Sequence, residues 1–308
     1  MEENIKGKIT KGVGGLYTVR LSNEAIVSCR ARGAFRHEGL TPLPGDDVRL
    51  AIEGEGEQSY VIDEILPRKN ALIRPPMANL DLLFITMAAA APTPILTTID
   101  KMTAIAEHHH IEPVLVITKR ELAEDEAERL RALYASCGFT AFAVSAKEDT
   151  GIEPLANYIK AELSGKISAF AGASGVGKST LMNRLFPNLQ LSTSEISRKI
   201  ERGRHTTRQV ELFPIGNGGE SGFVADTPGF SMLDFERFDF FDAEDLPLAM
   251  RELAPYIGTC RYTKCSHTKE EGCAICEAVA GGIIPKSRHE SFCELYGILK
   301  NKKKWEKR

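Results

Sequence analysis

The stretch ISAFAGASGVGKST, residues 167–180, decides how the rest of the chain is read. Its first five residues, apolar or small, have the length and composition of a buried strand. They run into Gly172-Ala173-Ser174-Gly175-Val176-Gly177-Lys178-Ser179, which fits the pattern G-x-x-x-x-G-K-S. A helical pattern follows, with Thr180 in its first turn. Glycines at these positions let backbone amides turn inward around phosphate oxygens. Lys178 would reach the terminal phosphates, Ser179 would ligate Mg²⁺, and the helix adds its positive end. Strand, loop and helix in this order distinguish the run from an ordinary glycine-rich turn.

Working outward, two upstream strand patterns end in polar tips. Residues 114–118, apolar or β-branched, lead into Thr118-Lys119-Arg120-Glu121, close to the Asn-Lys-x-Asp element that reads guanine in GTP-binding proteins. Residues 139–144 lead into Ser145-Ala146-Lys147, a tripeptide whose backbone packs against the guanine ring in such proteins. Downstream, residues 223–225 lead into Asp226-Thr227-Pro228-Gly229. There a carboxylate would hold Mg²⁺ through water, and the Gly229 amide would sense a γ-phosphate. The polar run Glu201-Arg202-Gly203-Arg204-His205-Thr206-Thr207-Arg208 lies between loop and Asp226. It reads as a switch in which Thr206 or Thr207 completes the Mg²⁺ shell, or as a charged loop entering a strand at 209–213. Both base-reading candidates precede the phosphate loop, whereas the usual order puts them after it. One cut and one rejoining of that order gives this chain, which a parallel sheet tolerates when its termini lie close together at the surface.

Across residues 69–235, strand patterns alternate with helix-length amphipathic stretches, which predicts a mostly parallel sheet covered on both faces. Residues 1–68 read as β: Tyr17, Val19 and Leu21 alternate with polar neighbours, as do Val48, Leu50 and Ile52. Gly14-Gly15 and Pro44-Gly45-Asp46 supply turns, and a small closed barrel is expected, the OB type being one candidate. Residues 236–308 are charged and cysteine-bearing, with a last helix expected over roughly 290–304.

Formal net charge is −3, which excludes a bulk polycation, so any nucleic-acid contact must come from local patches. Lys300, Lys302, Lys303, Lys304, Lys307 and Arg308 around Trp305 form one, or simply a solvated helix end. Met1-Glu2-Glu3 opens on acid, and the longest apolar stretch, 82–91, is too short to cross a bilayer. A cytoplasmic protein with no membrane contact is expected. Five of the seven cysteines crowd the last fifth, which in a cytosolic chain favours metal over disulfides. Cys260, Cys265, His267 and Cys273 make a complete tetrahedral zinc set with no open position, hence a structural metal. Cys276 could compete as a ligand. His108-His109-His110 reads as a polar helix end rather than a second metal patch.

Taken together, these features resemble the ribosome small-subunit-dependent GTPase A family of circularly permuted GTPases. The resemblance covers nearly the whole chain: barrel, permuted motif order, Gly203-Arg204-His205-Thr206-Thr207 and the trailing Cys/His cluster. It implies an OB-type barrel over 1–68, a permuted P-loop GTPase domain over 69–235 and a mostly helical zinc-binding domain over 236–308. It implies Cys260, Cys265, His267 and Cys273 as ligands with Cys276 as a spare, and a monomer that binds the small ribosomal subunit and its rRNA. It also implies that free-protein hydrolysis is slow and is stimulated by the subunit. Arg30, Arg32, Arg36 and the basic tail are the expected phosphate contacts.

Three positions depart from the general GTPase pattern. Glu121 replaces aspartate and keeps two acceptor oxygens on a longer stem; guanine preference is expected to survive. Thr118 replaces asparagine, keeping a hydroxyl but losing the amide that ties neighbouring loops. Phe230 follows Gly229 where many GTPases place a water-orienting glutamine nearby; the family resemblance points to His205 as its replacement. Two rivals share the phosphate loop: an ATPase or kinase without base readers, and an RNA-binding module whose nucleotide only stabilises the fold.

Overall fold

The computed structural model describes residues 5–33, 35, 39–53, 59–73, 75–187, 210–216, 222–226 and 242–301. In chain order the strands are β1 Ile5–Val13, β2 Leu16–Leu21, β3 Ile26–Ala31, β4 Asp47–Glu53, β5 Ser59–Ile65, β6 Ala71–Ile73, β7 Pro76–Ala78, β8 Leu82–Ala88, β9 Glu112–Thr118, β10 Thr140–Ala143, β11 Ile167–Gly172, β12 Glu211–Ile215 and β13 Gly222–Asp226. The α-helices are α1 Leu96–His108, α2 Glu124–Ser136, α3 Ile152–Glu162, α4 Lys178–Leu185, α5 Ala274–Ala280 and α6 Lys286–Asn301. They fold into two compact units. One gathers Met1–Leu82, Ala156–Ala171 and Ser179–Ser231; the other gathers Leu83–Leu155, Gly172–Lys178 and Met232–Arg308.

In the first unit, β1-β2-β3-β5-β4 closes into a barrel because β4 also pairs with β1. Full closure removes the exposed sheet edges that an open five-stranded sheet would carry. Alternation along each strand sends Ile9, Val19, Val48, Leu50 and Ile62 into the interior, where they pack as one core. Gly14 and Gly15 adopt the left-handed conformations that a tight hairpin between β1 and β2 needs. Gly45 (φ 96°) allows a close approach, since a Cβ there would sit 2.0 Å from the Ala78 carbonyl oxygen. Beside it, buried Asp46 accepts two hydrogen bonds from Arg68, 2.6 and 2.8 Å. The same unit holds β11 and β13 in parallel register, Ala169 opposite Ala225, with β12 antiparallel to β13. β12 meets β1 at Glu211 opposite Lys11, and these two side chains form an ion pair at 2.6 Å.

The second unit is built on β10-β9-β8. β9 and β10 run parallel, Thr140 opposite Val114 through Ala143 opposite Ile117. Every residue of β8 is buried, as is every residue of β9 after Glu112, the pattern of strands covered on both faces. α2 opens on Glu124, Asp125 and Glu126, which complement the positive end of its dipole. α6 begins at Lys286, four residues before the start expected near 290. The reason is Arg288: it is fully buried, ion-paired with Asp100 of α1 and, at 2.5 Å, with Glu252. Paired in this way, an arginine takes a core position that composition alone assigns to solvent. The His108–His110 run is a helix end, as expected: α1 stops at His108 and His110 is left-handed.

Candidate functional site

β9 and β10 end side by side in the second unit, and both predicted base-reading elements leave from those ends. The Val144 N–H donates to Ile117 O at 2.8 Å, and the Arg120 N–H donates to Val144 O at 3.2 Å, which locks the two loops together. After β9 the chain turns at Lys119, whose φ of 57° is left-handed. A single 3-10 turn, Arg120–Leu122, then presents Glu121. Ser145 is fully buried; its hydroxyl accepts from the Glu148 N–H at 3.0 Å, and its bridge to Thr150 closes the turn that carries Ala146 and Lys147.

The phosphate loop reaches these elements directly. Lys119 Nζ donates to Gly175 O at 2.7 Å and to Ala91 O. The Thr118 hydroxyl lies within hydrogen-bond reach of Val176 O and, at 3.0 Å, of Met87 O. Thr118 therefore does tie neighbouring loops, contrary to the expectation drawn from its lost amide: the shorter hydroxyl sits against backbone carbonyls that come to meet it. Gly172 (φ 152°) lets the loop leave β11 beside Thr86, where a Cβ would fall 2.3 Å from the Thr86 hydroxyl oxygen. Gly175 and Gly177 are also left-handed, at 81° and 95°. Ala173, Ser174 and Gly175 are exposed while Val176 is buried, so the loop is anchored at one point and open around it. Glu121 and Lys178, 57 positions apart in sequence, thus lie on two elements joined by these bonds. Glu121 is only half-buried, yet its Oε2 is inaccessible to water and meets no hydrogen-bond partner among the described residues. A buried carboxylate oxygen without a donor is costly, and an N–H donor of a bound base would relieve that cost.

Ser179 and Thr180 follow Lys178 at the start of α4. Asp226 ends β13, the parallel neighbour of β11, which runs into the loop. The switch candidates His205, Thr206 and Thr207, together with Gly229, lie outside the described residues, as do Arg36 and Lys302 to Arg308. Arg30 is exposed on β3, whereas Arg32 is already engaged by Asp63 and, at 3.6 Å, by Glu53.

A second site sits in the same unit. One ligand atom each from Cys260, Cys265, His267 and Cys273 lie within 4.8 Å of one another. Cys260 Sγ is 3.4 Å from His267 Nδ1 and 3.8 Å from Cys273 Sγ; Cys273 Sγ is 3.7 Å from the same nitrogen. Tetrahedral zinc bonds of the usual length place such atoms about 3.5–3.8 Å apart, so the donor set fits that ion in chemistry, and Cys260, His267 and Cys273 are spaced close to that range. Cys276 stands outside the group, its Sγ directed at His267 O at 3.8 Å. Burial lowers the His267 pKa, which keeps the imidazole in the neutral form that ligates metals. Glu270, unremarked in the sequence, lies between ligands and accepts hydrogen bonds from the loop around it. Burial alone would push its pKa up; bonds from the Ser266 hydroxyl and from backbone N–H groups overcome this and hold it at about 2. Its signal was its position, an acid inside a ligand loop. Cys29 and Cys137 are buried elsewhere, and burial pushes their thiols up to about 11 and about 12.

Comparison with known proteins agrees with this arrangement. The family described as RsgA GTPase matches residues 65–236, and the RsgA N-terminal domain matches residues 6–61. The chain is 42% identical to the small ribosomal subunit biogenesis GTPase RsgA of Caldanaerobacter subterraneus subsp. tengcongensis, over 98% of each chain. It is 41% identical to the protein of that name from Ruminiclostridium cellulolyticum, over 96% of this chain and 94% of the other. Among solved structures, YjeQ from Thermotoga maritima superposes with a TM-score of 0.81 at 31% identity, covering 98% of this chain and all of that one. YloQ, described as a circularly permuted GTPase, gives 0.76 at 31% identity, covering 98% and 96%.

Proposed function

This chain belongs to the RsgA GTPase family, and from that premise we propose that it binds GTP across the loops just described and hydrolyses it on the small ribosomal subunit during late maturation. The observation that carries the reading is the clasp between base reader and phosphate loop, with Glu121 Oε2 left for a donor. Guanine offers N1–H and an exocyclic amine to that carboxylate; adenine offers an acceptor at N1, which the carboxylate repels. A site built around hydrogen bonds discriminates strongly against an analogue that cannot make them. Ser145, Ala146 and Lys147 would flank the ring through their backbone. Amides of Ala173 to Gly177 would cradle the phosphates, with Lys178 on the terminal pair.

Ser179, Thr207 and, through water, Asp226 are the residues we assign to Mg²⁺, which when bound neutralises charge developing on the β- and γ-phosphate oxygens. Gly229 would sense the γ-phosphate. His205 would orient the attacking water, since Phe230 cannot. Turnover would be slow alone and faster on the subunit. The barrel and the zinc-bound C-terminal region would grip rRNA, with Arg30 and the basic tail on phosphates; Arg32 contributes less because Asp63 and Glu53 already hold it. A monomer in the cytoplasm goes with this reading. Among the described residues no helix is long and apolar enough to cross a membrane.

The test is hydrolysis of GTP against ATP, each with and without purified small ribosomal subunits. The reading expects slow GTP turnover, a rise of at least about tenfold with subunits, and little ATP turnover in either case. Equal use of both nucleotides returns the chain to the general ATPase class, and turnover indifferent to subunits removes the ribosomal part.

A further inference from the structure

The knuckle that gathers Cys260, Cys265, His267 and Cys273 requires an unusual backbone. His267 is left-handed, with φ of 59°, a conformation that non-glycine residues adopt only when their surroundings impose it. Both flanks of that residue are held by one side chain. Glu270 Oε1 accepts from the Ser266 N–H at 2.9 Å and from the Ser266 hydroxyl; Oε2 accepts from the Thr268 and Lys269 N–H groups, each at 3.1 Å. The carbonyl of His267 is fixed from the other side, accepting the His289 Nε2–H at 2.7 Å. These bonds set the inverted peptide so that Nδ1 faces the sulfurs of Cys260 and Cys273. Glu270 itself is not one of the four clustered donors.

We propose that Glu270 is a positioning residue for the metal: its carboxylate preforms the His267 turn, and so sets how tightly and how long the knuckle holds zinc. This rests on reading the cluster as a zinc site. The carboxylate is specific to the task. Two oxygens gather three converging N–H groups and a hydroxyl, an anion-binding concavity closed by the chain's own acid. Glutamine would keep one accepting oxygen and turn an amide donor toward N–H donors, so it should fail nearly as badly as alanine.

The experiment uses the full chain loaded with zinc. Metal content is counted by mass spectrometry, and zinc release is followed with the chromogenic chelator 4-(2-pyridylazo)resorcinol. Wild type is compared with Glu270→Gln, Glu270→Ala and Cys273→Ser. Glu270→Gln and Glu270→Ala are expected to lose zinc about 10- to 100-fold faster, the usual cost of removing a residue that supports a metal ligand. Melting temperatures are taken with zinc and after chelation. A positioning role shrinks the rise that zinc produces in the Glu270 variants, whereas a merely structural role lowers both temperatures equally. Release at the wild-type rate, or equal lowering of both temperatures, overturns the proposal. Full zinc retention by Cys273→Ser overturns the metal-site reading beneath it, and that result is distinguishable because it does not depend on Glu270.

Discussion

Lys119 and His267 are both non-glycine residues in the left-handed conformation, at 57° and 59°, and both sit in loops to which we assign a ligand. They are held by different means. Lys119 follows a strand buried in a parallel sheet; Arg120 bonds to the neighbouring strand end, and the lysine's own ammonium donates to Gly175 O. His267 stands in a loop outside the described strands and helices, held by Glu270 and His289 and grouped with three thiols. The first turn belongs to the hydrophobic core. The second belongs to polar bonds and to a cluster of four donors that fits a metal. A ligand loop at strand ends keeps its shape when the ligand leaves, while a loop organised by side-chain donors depends on the ion those donors hold.

The sharpest way to break that contrast is to remove the metal. Stripping zinc, or making Cys273→Ser, is expected to cut hydrogen-exchange protection across 260–273 sharply, least at the Ser266, Thr268 and Lys269 N–H groups that donate to Glu270, while protection across 114–118 and 140–143 stays within a few-fold of the starting value. Loss of protection in the strands as well would show that the two regions are not independently held. Next in size, Lys178→Ala is expected to cut GTP turnover by at least about 100-fold, the scale of losing one preorganised charge at a reacting group. Its preference for GDP over ADP should be unchanged, because the base elements are supported without it.

A smaller effect isolates the clasp. Thr118→Val removes the hydroxyl that reaches Val176 O and Met87 O, and a buried carbonyl left unpaired costs about 1–3 kcal/mol. GDP affinity measured by calorimetry should fall by roughly 5- to 150-fold, with the far-ultraviolet spectrum unchanged. An unaltered affinity would mean that the loops hold each other without Thr118.

The smallest effect serves as a control lying in neither ligand loop. Burial, then the neighbouring His108 and His110, lowers the His109 pKa to about 4. A histidine with a depressed folded-state pKa favours the folded state while it is neutral. That contribution is present above the unfolded value near 6.5 and fades as pH falls toward 4. His109→Gln should therefore flatten the decline in melting temperature between those pH values and leave zinc content and nucleotide affinity alone.

How much of this was legible in the residues differs between the two regions for the same physical reason. Strand ends are written in hydrophobic runs, so 114–118, 140–143 and 167–171 were readable, and with them the permuted order of the loops. The four clustered donors were readable because few residue types bind zinc. What holds those loops was not readable. That the Thr118 hydroxyl would itself reach the phosphate loop was not foreseen, because a side chain's reach cannot be judged before one knows that backbone carbonyls approach it. Nothing in the sequence singles out Glu270, nor Arg288, which Asp100 and Glu252 pair in the core. Polar side chains that act on backbone or on one another leave no periodicity, so only coordinates reveal them.

The most direct test of the central claim, that the element bearing Glu121 and the loop bearing Lys178 serve one guanine nucleotide, is displacement of a fluorescent GDP analogue by GTP and by ATP. Wild type and Glu121→Ala are titrated side by side. Wild type should release the analogue to GTP at a concentration at least about 100-fold lower than to ATP, and Glu121→Ala should reduce that ratio below about 10. Equal displacement by the two nucleotides in wild type, or a ratio indifferent to Glu121→Ala, would contradict it.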